Sequence, residues 1–528
     1  MQKSQVYDVA VLGGGIAGMA TAARLQSRGL STVVFEAHGQ PGGCAGFFRR
    51  SGFAFDVGAT TLVDFGPGGV GGELLESIGL EKLPSEALPG YRAWLPDRVV
   101  SLYRDPCLWE TERLCKLGDS PRHRQFWSLL DRLAHVFWNA SRTGIKLPIH
   151  SISDVIRIAK AIPVQHWPLA RYLHWTVGDA LRHFHLHEEA PLVGLLSMLL
   201  QDTVHASVEE APLINGALGI TIRGAGLSRA RGGMFGFWRH FREHYATLGG
   251  TLRVGCAVRR VRITGPWLED GPVRFAIETR RGEFQASQVV SALPAELTAR
   301  IGPGQVRQGL EPYLMRDKNC RGGALVLFLG VPEQEVQGQD FTHHQLLQDY
   351  RQPLGNGNNM FISVSASGDT DSAPAGFRSV MISTHCDLAD WETLNEQAYQ
   401  AQKNKSAKRL LELARGVYPL LGTRAAVCEM ATPRTFERFT KRPRGAVGGV
   451  QQNLTNSNQH AIPHATKVPG FWLAGDTTWP GLGTVACVLG SRLVAEAVLD
   501  RARRLTRENP LRRSRIIRKE NHEPAKRC

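Results

Sequence analysis

The first apolar segment of the chain is residues 7–12, a short run rich in β-branched side chains that predicts a buried strand. A cluster of glycines over residues 13–18 follows at once, and a helical pattern then continues to residue 25. A second apolar run over residues 31–35 predicts another strand. The order is therefore strand, tight glycine turn, helix and strand.

The glycines stand at the spacing of a dinucleotide-binding turn. Gly13 permits the turn, Gly15 lets the backbone approach a pyrophosphate, and Gly18 lets the helix pack close to the strand. The helix N-terminus offers free N–H groups to phosphates. Glu36, directly after the second strand, is placed to bind a ribose hydroxyl. We predict a dinucleotide site; the alternative is a glycine-rich turn with a solvated glutamate.

Two more features near the N-terminus fit the same site. The adjacent Gly42 and Gly43 add backbone N–H groups close to the phosphates or the ring system. Residues 47–62 predict a hairpin, and Gly58 at its end leaves room for a flat ring.

Near the other end, residues 471–474 predict a strand and residues 484–499 a helix. The helix N-terminus can stabilise negative charge on a reduced flavin. Asp476, in the turn before it, can accept hydrogen bonds from ribityl or ribose hydroxyls, or it caps the helix.

The segments between these two ends predict further strands, at 249–263 and as a strand pair at 282–294. Cofactor segments at both ends of a chain, with strands between them, are typical of an FAD-binding domain interrupted by a substrate domain. No second glycine fingerprint is present, so a separate nicotinamide site is not expected.

Residues 126–151 and 166–201 are helical in pattern and mix aromatic with basic side chains, which favours either an interfacial face or ordinary core packing. The apolar run 191–200 is too short to span a membrane and predicts a buried helix.

His183 and His187 would share one helix face, as two zinc ligands do. The sequence places no third ligand beside them, so we predict no metal site.

Composition changes the picture mainly through charge. The 528 residues suffice for two domains and carry a net charge of +15, partly from a basic tail over residues 504–528 that is expected to be disordered. The tail lacks interleaved aromatic residues, which argues against nucleic acid, and an anionic membrane surface is the alternative partner. Nine scattered cysteines without a C-x-x-C pair indicate a reducing compartment.

The nucleotide fold begins near residue 7, which leaves no room for a signal peptide, and no apolar run is long enough for a transmembrane helix. We therefore expect a peripheral protein on the cytoplasmic side of a membrane.

These motifs together resemble the flavin-dependent carotenoid desaturases and isomerases, within the wider amine-oxidase-like group. The N-terminal fingerprint, the Gly42–Gly43 pair, the stretches 229–255 and 289–294, and "LAGDTTWPGLGT" near the C-terminus fall in the order of that family. The match covers roughly residues 6–500, and residues 343–369 and 432–452 look closest to carotenoid 3′,4′-desaturases. Trp479 departs from the family pattern and is expected to reshape the pocket.

The resemblance implies an α/β fold. A Rossmann-type, glutathione-reductase-like FAD domain (6–70, 226–295 and 455–503) would be interrupted by an α+β substrate domain (71–225 and 296–454) with a mixed sheet and a helical, membrane-facing part. The resemblance also implies the cofactor-binding residues. Toward the N-terminus they are Gly13, Gly15 and Gly18 at the pyrophosphate, Glu36 at the ribose, and Gly42 and Gly43 along the diphosphate or ribityl chain. Further along they are Val258 at adenine, Gly475 and Asp476 at the flavin phosphate and ribityl side, and Gly483 and Thr484 at the ring.

The implied reaction is desaturation of an acyclic carotenoid at a 3,4-type position in an apolar tunnel, by hydride loss to the flavin and then proton loss. Quinone or oxygen would reoxidise the flavin. The base is not assigned, and His205, Glu209 and Glu210 are expected to be structural or solvent-facing. The alternatives are a redox-neutral cis–trans isomerase, an amine oxidase, and a non-catalytic carotenoid carrier.

Overall fold

The computed structural model describes residues 6–80, 83–264 and 274–507. Its strands are β1 (Val6–Leu12), β2 (Thr32–Phe35), β3 (Phe47–Arg50), β4 (Phe53–Asp56), β5 (Leu62–Val63), β6 (Ser85–Ala87), β7 (Gly90–Trp94), β8 (Val99–Tyr103), β9 (Leu227–Ala230), β10 (Thr251–Arg253), β11 (Val258–Thr264), β12 (Arg274–Thr279), β13 (Gly282–Ser291), β14 (Gly323–Pro332), β15 (His343–Leu347), β16 (Asn359–Val364), β17 (Phe377–Cys386), β18 (Val427–Ala431) and β19 (Phe471–Leu473).

The helices are α1 (Ile16–Ser27), α2 (Val70–Ile78), α3 (Pro106–Leu117), α4 (Pro121–Thr143), α5 (Ile152–Ala161), α6 (Val177–His183), α7 (Ala190–Thr203), α8 (Leu213–Ile220), α9 (Gly233–Thr247), α10 (Ala295–Ile301), α11 (Gly304–Arg316), α12 (Ala389–Glu392), α13 (Glu396–Ala414), α14 (Pro433–Thr440) and α15 (Thr484–Arg507). Short 3₁₀ segments cover Gly43–Ala45, Val164–Tyr172, Glu333–Val336, Pro443–Gly445 and Asn458–His460.

The first large sheet has the order β10-β2-β1-β13-β12-β11, and β19 also pairs with β13. The strands β10, β2, β1, β13 and β19 run parallel, whereas β11 and β12 are antiparallel additions. The run Val9 to Leu12 in β1 is fully buried, because helices cover both faces of a parallel sheet. On one of those faces α1 packs against α15, so the two ends of the chain share one hydrophobic core.

The second large sheet has the order β18-β14-β17-β16-β15-β7-β8 and is antiparallel except between β15 and β7. Its strands come from both segments assigned to the substrate domain. The predicted α/β class with a Rossmann-like part and a second, mixed sheet is confirmed. The exact domain boundaries stay predictions.

Several predicted elements differ in detail. The expected strand pair at 282–294 is the single strand β13, whose antiparallel partner is β12. The long helix expected over 126–151 ends at Thr143, where Gly144 adopts a left-handed conformation. The stretch 166–201 is broken into a 3₁₀ segment, α6 and α7. The predicted buried helix at 191–200 is confirmed within α7.

The predicted tail needs one correction. Residues 504–507 belong to α15, and residues 508–528 lie outside the described part of the chain. Within the described ranges, none of the helices combines the length and the apolar character needed to cross a bilayer.

Candidate functional site

The glycine turn after β1 is built for close packing and for an open face. Gly13 has a φ of +99°, which favours glycine. A Cβ atom on Gly18 would lie 2.1 Å from the Gly13 carbonyl oxygen, so only glycine lets α1 approach the strand this closely. A Cβ atom on Gly15, the N-cap of α1, would meet nothing within 4 Å. The first turn of α1 therefore faces open space with its N–H groups free.

Glu36 is held firmly at the end of β2. Its Oε2 atom accepts a hydrogen bond of 2.7 Å from the Gly14 N–H, and its Oε1 atom accepts one of 2.7 Å from the His38 N–H. Burial raises the pKa of the Glu36 carboxyl, while these backbone hydrogen bonds oppose the rise. Each oxygen keeps accepting capacity for a ligand hydroxyl.

The second glycine pair lies against the first turn. The Gly42 N–H donates to the Gly14 carbonyl at 2.9 Å, and a Cβ atom on Gly43 would lie 3.5 Å from the Gly15 Cα. The indole of Trp238 donates a 2.7 Å hydrogen bond to the Ala45 carbonyl and so anchors the far end of this segment. The two glycine turns form one continuous backbone surface.

The C-terminal turn contributes the opposite wall. Asp476 does not cap α15; its Oδ2 atom accepts a 2.5 Å hydrogen bond from Nη2 of Arg442, and both side chains are largely buried. Burial lowers the pKa of Arg442, but the opposing interactions, led by the charge of the Asp476 carboxylate, make the net shift upward. Arg442 follows α14, so this ion pair connects the segment after β18 to the turn that precedes α15.

One cavity of about 1100 Å³ connects these elements. Every predicted cofactor residue except Gly18 lies on its wall, and Gly18 instead packs on the strand. Their role as cofactor ligands stays a prediction. The wall continues onto the second sheet, where Phe328, Phe361 and His385 face the same space.

The part of the cavity beside the second sheet is less apolar than the expected tunnel. Gln345 donates a hydrogen bond from Nε2 to Asp202, and burial raises the pKa of Asp202 to about 6. Burial lowers the pKa of Arg223 to about 10. The hydroxyls of Tyr91 and Thr61 are hydrogen-bonded at 3.0 Å. Buried polar groups thus border a cavity whose remaining wall is rich in aromatic and aliphatic side chains.

His205, which the sequence predicts to be structural or solvent-facing, also lies on the cavity wall; its role stays a prediction. Its ring centroid lies 5.2 Å from that of His385. Burial lowers the pKa of His205 to about 4 and that of His385 to about 3, so both imidazoles are neutral at physiological pH. Glu209 and Glu210, by contrast, are exposed and pair with surface groups.

Three further sequence-based interpretations concern Gly58, Trp479 and the pair His183 and His187, and the structure differs from the last two. A Cβ atom on Gly58 would lie 2.4 Å from the Cys44 carbonyl oxygen, so backbone packing also requires this glycine, which lies on the cavity wall; room for a flat ring there stays a prediction. Trp479 is buried in the core beneath α1 and α15 and is not among the described residues of the cavity wall. The helix α6 ends at His183, so His187 does not lie one turn further along the same helix.

No motif or spacing in the sequence points to the following wall residues: Asp202, Arg223, Gln345, His385 and Arg442. They belong to elements far apart in sequence that line one cavity in the folded chain.

Comparisons with known proteins agree with this architecture. Residues 11–77 match the NAD(P)-binding Rossmann-like domain family. The chain is 24% identical over 524 residues to prolycopene isomerase 1 of an Oncidium hybrid cultivar, which covers 94% of this chain and 84% of the relative. It is 23% identical to the lycopene-forming phytoene desaturase of Pantoea ananas, covering 93% of this chain and 98% of that one.

Among solved structures, putrescine oxidase bound to putrescine superposes with a TM-score of 0.61 at 16% identity, covering 94% of this chain and all of the other (100%). This likeness concerns the fold alone. The resemblance predicted from the motifs is confirmed: over nearly its whole length the chain is similar to carotenoid isomerases and desaturases, on a fold shared with an amine oxidase.

Proposed function

We propose that this protein is an FAD-dependent oxidoreductase that desaturates a carotenoid, with an acyclic substrate and a 3,4-type position. The observation that carries the proposal is the single cavity of about 1100 Å³ that runs from the glycine turns to the second sheet. It gives a dinucleotide and a long apolar substrate one shared space. Relatives that act on carotenoids supply the substrate class.

The residues present fit FAD. The open face at Gly15 and the N-terminus of α1 suit a diphosphate, and Glu36 has accepting capacity for a ribose hydroxyl. Val258 would meet adenine, and Gly483 and Thr484 at the start of α15 would face the ring. Bound flavin would supply a two-electron oxidant that accepts hydride.

The protein's own contribution is position and shielding. Phe48, Phe328 and Phe361 on the wall offer flat apolar surfaces to a polyene. Holding the reacting carbons in one geometry lowers the entropic part of the barrier, and exclusion of water protects a developing carbocation.

A cis–trans isomerase is the second candidate, because prolycopene isomerases match the chain at least as well as the desaturases do. It would use reduced flavin without net hydrogen loss. An amine oxidase remains the third candidate, and it rests on fold similarity alone. For reoxidation in the desaturase we propose a quinone or oxygen.

A membrane surface is the proposed source of the substrate. An apolar face is formed by α5, the following 3₁₀ segment and the residue after it. Its exposed large side chains are Ile152, Val155, Ile156, Val164, Trp167 and Leu173. Exposed Lys160 and Arg171 lie on the same two segments and suit anionic lipid. This face overlaps the predicted stretch 166–201 at Trp167, Arg171 and Leu173, and it adds α5, which lies outside both predicted stretches.

Replacing Ile152, Val155 and Trp167 together by serine is expected to weaken binding to anionic vesicles at least about tenfold, since each buried apolar side chain contributes about 1.5–3 kcal/mol. Cosedimentation with phosphatidylglycerol vesicles measures this. A matched control replaces the exposed Leu108 and Met315, which lie elsewhere, and should bind like wild type. Equal binding by both variants would contradict the proposed face.

Pigment analysis tests the function directly. The chain is expressed in a bacterium that makes an acyclic carotenoid, and the extract is compared by mass with one from cells lacking the chain. Desaturation predicts a product two hydrogens lighter with a red-shifted spectrum. Unchanged mass with a changed isomer profile would support the isomerase, and unchanged pigment would refute both carotenoid activities for that substrate.

A further inference from the structure

Two neutral imidazoles face each other on the cavity wall. The rings of His205 and His385 lie 5.2 Å apart at an interplanar angle of 73°, and both line the cavity. Neither ring hydrogen-bonds to any other residue in the described part of the chain, although buried polar side chains normally have partners. Other buried histidines of this protein do: His343, His344 and His464 each bond to a neighbouring group.

The backbone holds both rings in place. His205 follows α7 with a φ of +56°, which is uncommon for a side-chain-bearing residue. Gly448 lies directly against its ring, because a Cβ atom there would come within 2.1 Å of the imidazole Cε1. His385 is fixed in β17 opposite Ala324 of β14, and its carbonyl accepts a 2.7 Å hydrogen bond from the Asn356 N–H. Packing and the backbone therefore restrict both rings, while their nitrogens keep free hydrogen-bonding capacity among the described residues.

Their surroundings keep the pair uncharged until a proton arrives. Burial disfavours the imidazolium form of each ring, and the Arg442 guanidinium disfavours it further at His205. A metal site is a weaker explanation, since no cluster of three candidate ligands occurs among the described residues. Neutral imidazoles without partners can act as proton acceptors.

We propose that His205 and His385 together accept the proton that the substrate loses during desaturation; this rests on the proposed function. One substrate C–H bond breaks with its electron pair leaving as hydride to flavin, the oxidant. The adjacent C–H bond then breaks, its proton goes to a ring nitrogen of His205, and its electron pair forms the new C=C bond. His385 accepts a hydrogen bond from the resulting imidazolium, and the proton later leaves to water.

A weak base suffices for this step. A C–H bond beside a delocalised carbocation is far more acidic than any side chain, so a ring with a low pKa still takes its proton. The second imidazole spreads the charge that burial would otherwise penalise. The low basicity of the His205 ring is therefore sufficient for removing this proton.

The test uses flavin-loaded protein carrying His205→Gln, His385→Gln or both changes. Glutamine is close in size and keeps hydrogen-bonding capacity but is not a base. Under anaerobic conditions, conversion of an acyclic carotenoid in a single turnover is expected to slow about 100-fold or more in each single variant. The double variant should be no slower than the slower single one, because the two rings act as a unit. Carotenoid affinity, measured from the pigment's spectral shift, should stay within about threefold of wild type.

The control is His187→Gln, which alters an exposed histidine outside the cavity. If wild type makes the lighter product and the His205 and His385 variants keep its rate, the base assignment is wrong and the function stands. If affinity and rate fall together, the pair is structural and the assignment is again wrong. If wild type makes no lighter product, the proposed function fails and the assignment with it.

Discussion

Gly15→Val is expected to yield a folded protein that binds flavin at least about 100-fold more weakly than wild type. Gly15 has φ −70° and ψ 176°, an extended conformation that valine adopts readily. Its Cβ would point into open cavity space, so the side chain would occupy the volume in front of the first turn of α1. The loss is therefore steric exclusion of the diphosphate rather than unfolding. Flavin absorbance after purification and titration of the apoprotein with FAD measure it.

Gly39→Val is the matched control. Gly39 is exposed, also has nothing within 4 Å of a Cβ atom, and lies off the described cavity wall. It should keep full flavin binding and a normal melting temperature. A Gly15→Val protein that purifies with stoichiometric flavin would show that the N-terminus of α1 does not hold the diphosphate.

The parts of the fold that the sequence predicts well are those set by neighbouring residues. The β1–glycine–α1 unit and the β3–β4 hairpin depend on local patterns of apolar residues and glycine. The boundary predicted for α4 is wrong because the left-handed Gly144 ends the helix at Thr143. The second sheet could be predicted only as strands, because its order depends on contacts between segments far apart in sequence.

The residues of the candidate site likewise fall into a group that the sequence predicts and a group that it does not. Gly15 and Glu36 could be identified because motif spacing places them on one turn. The Arg442–Asp476 pair could not be predicted, because its partners are 34 residues apart. The His205–His385 pair could not be predicted either, because its partners lie on different elements that come together only in the folded chain. Pairings of this kind follow from tertiary packing, which the pattern of apolar and polar residues along the sequence does not predict.

Asp56→Ala is expected to cost about 3–5 kcal/mol of folding free energy, the largest stability loss that we predict for one side chain. Asp56 ends β4 and forms a 2.6 Å ion pair with Arg229, and both side chains are almost wholly buried (5% and 6% exposed). Burial raises the pKa of Asp56, and the Arg229 charge opposes that rise. The substitution would leave the guanidinium buried without its counter-charge.

The same carboxylate also anchors a helix. Its Oδ1 atom accepts a 2.7 Å hydrogen bond from the Met234 N–H in the first turn of α9, where a negative charge is favourable. Arg229 in turn donates to the Thr60 carbonyl at 2.9 Å, next to the cavity wall. The loss of Asp56 should therefore loosen the contact of α9 with the hairpin. Thermal and urea unfolding of the apoprotein measure the change.

Asp371→Ala provides the comparison, because Asp371 pairs with Arg239 at 3.2 Å while both side chains are about one-third exposed. Water and salt screen such a pair, so its loss should cost no more than about 1 kcal/mol. Removing both charges with Asp56→Asn and Arg229→Met should destabilise less than Asp56→Ala alone, since no unpaired cation remains. An equal loss of folding free energy in Asp56→Ala and Asp371→Ala would contradict this prediction. It would mean that water from the cavity reaches and solvates Arg229 past Thr60 on the cavity wall.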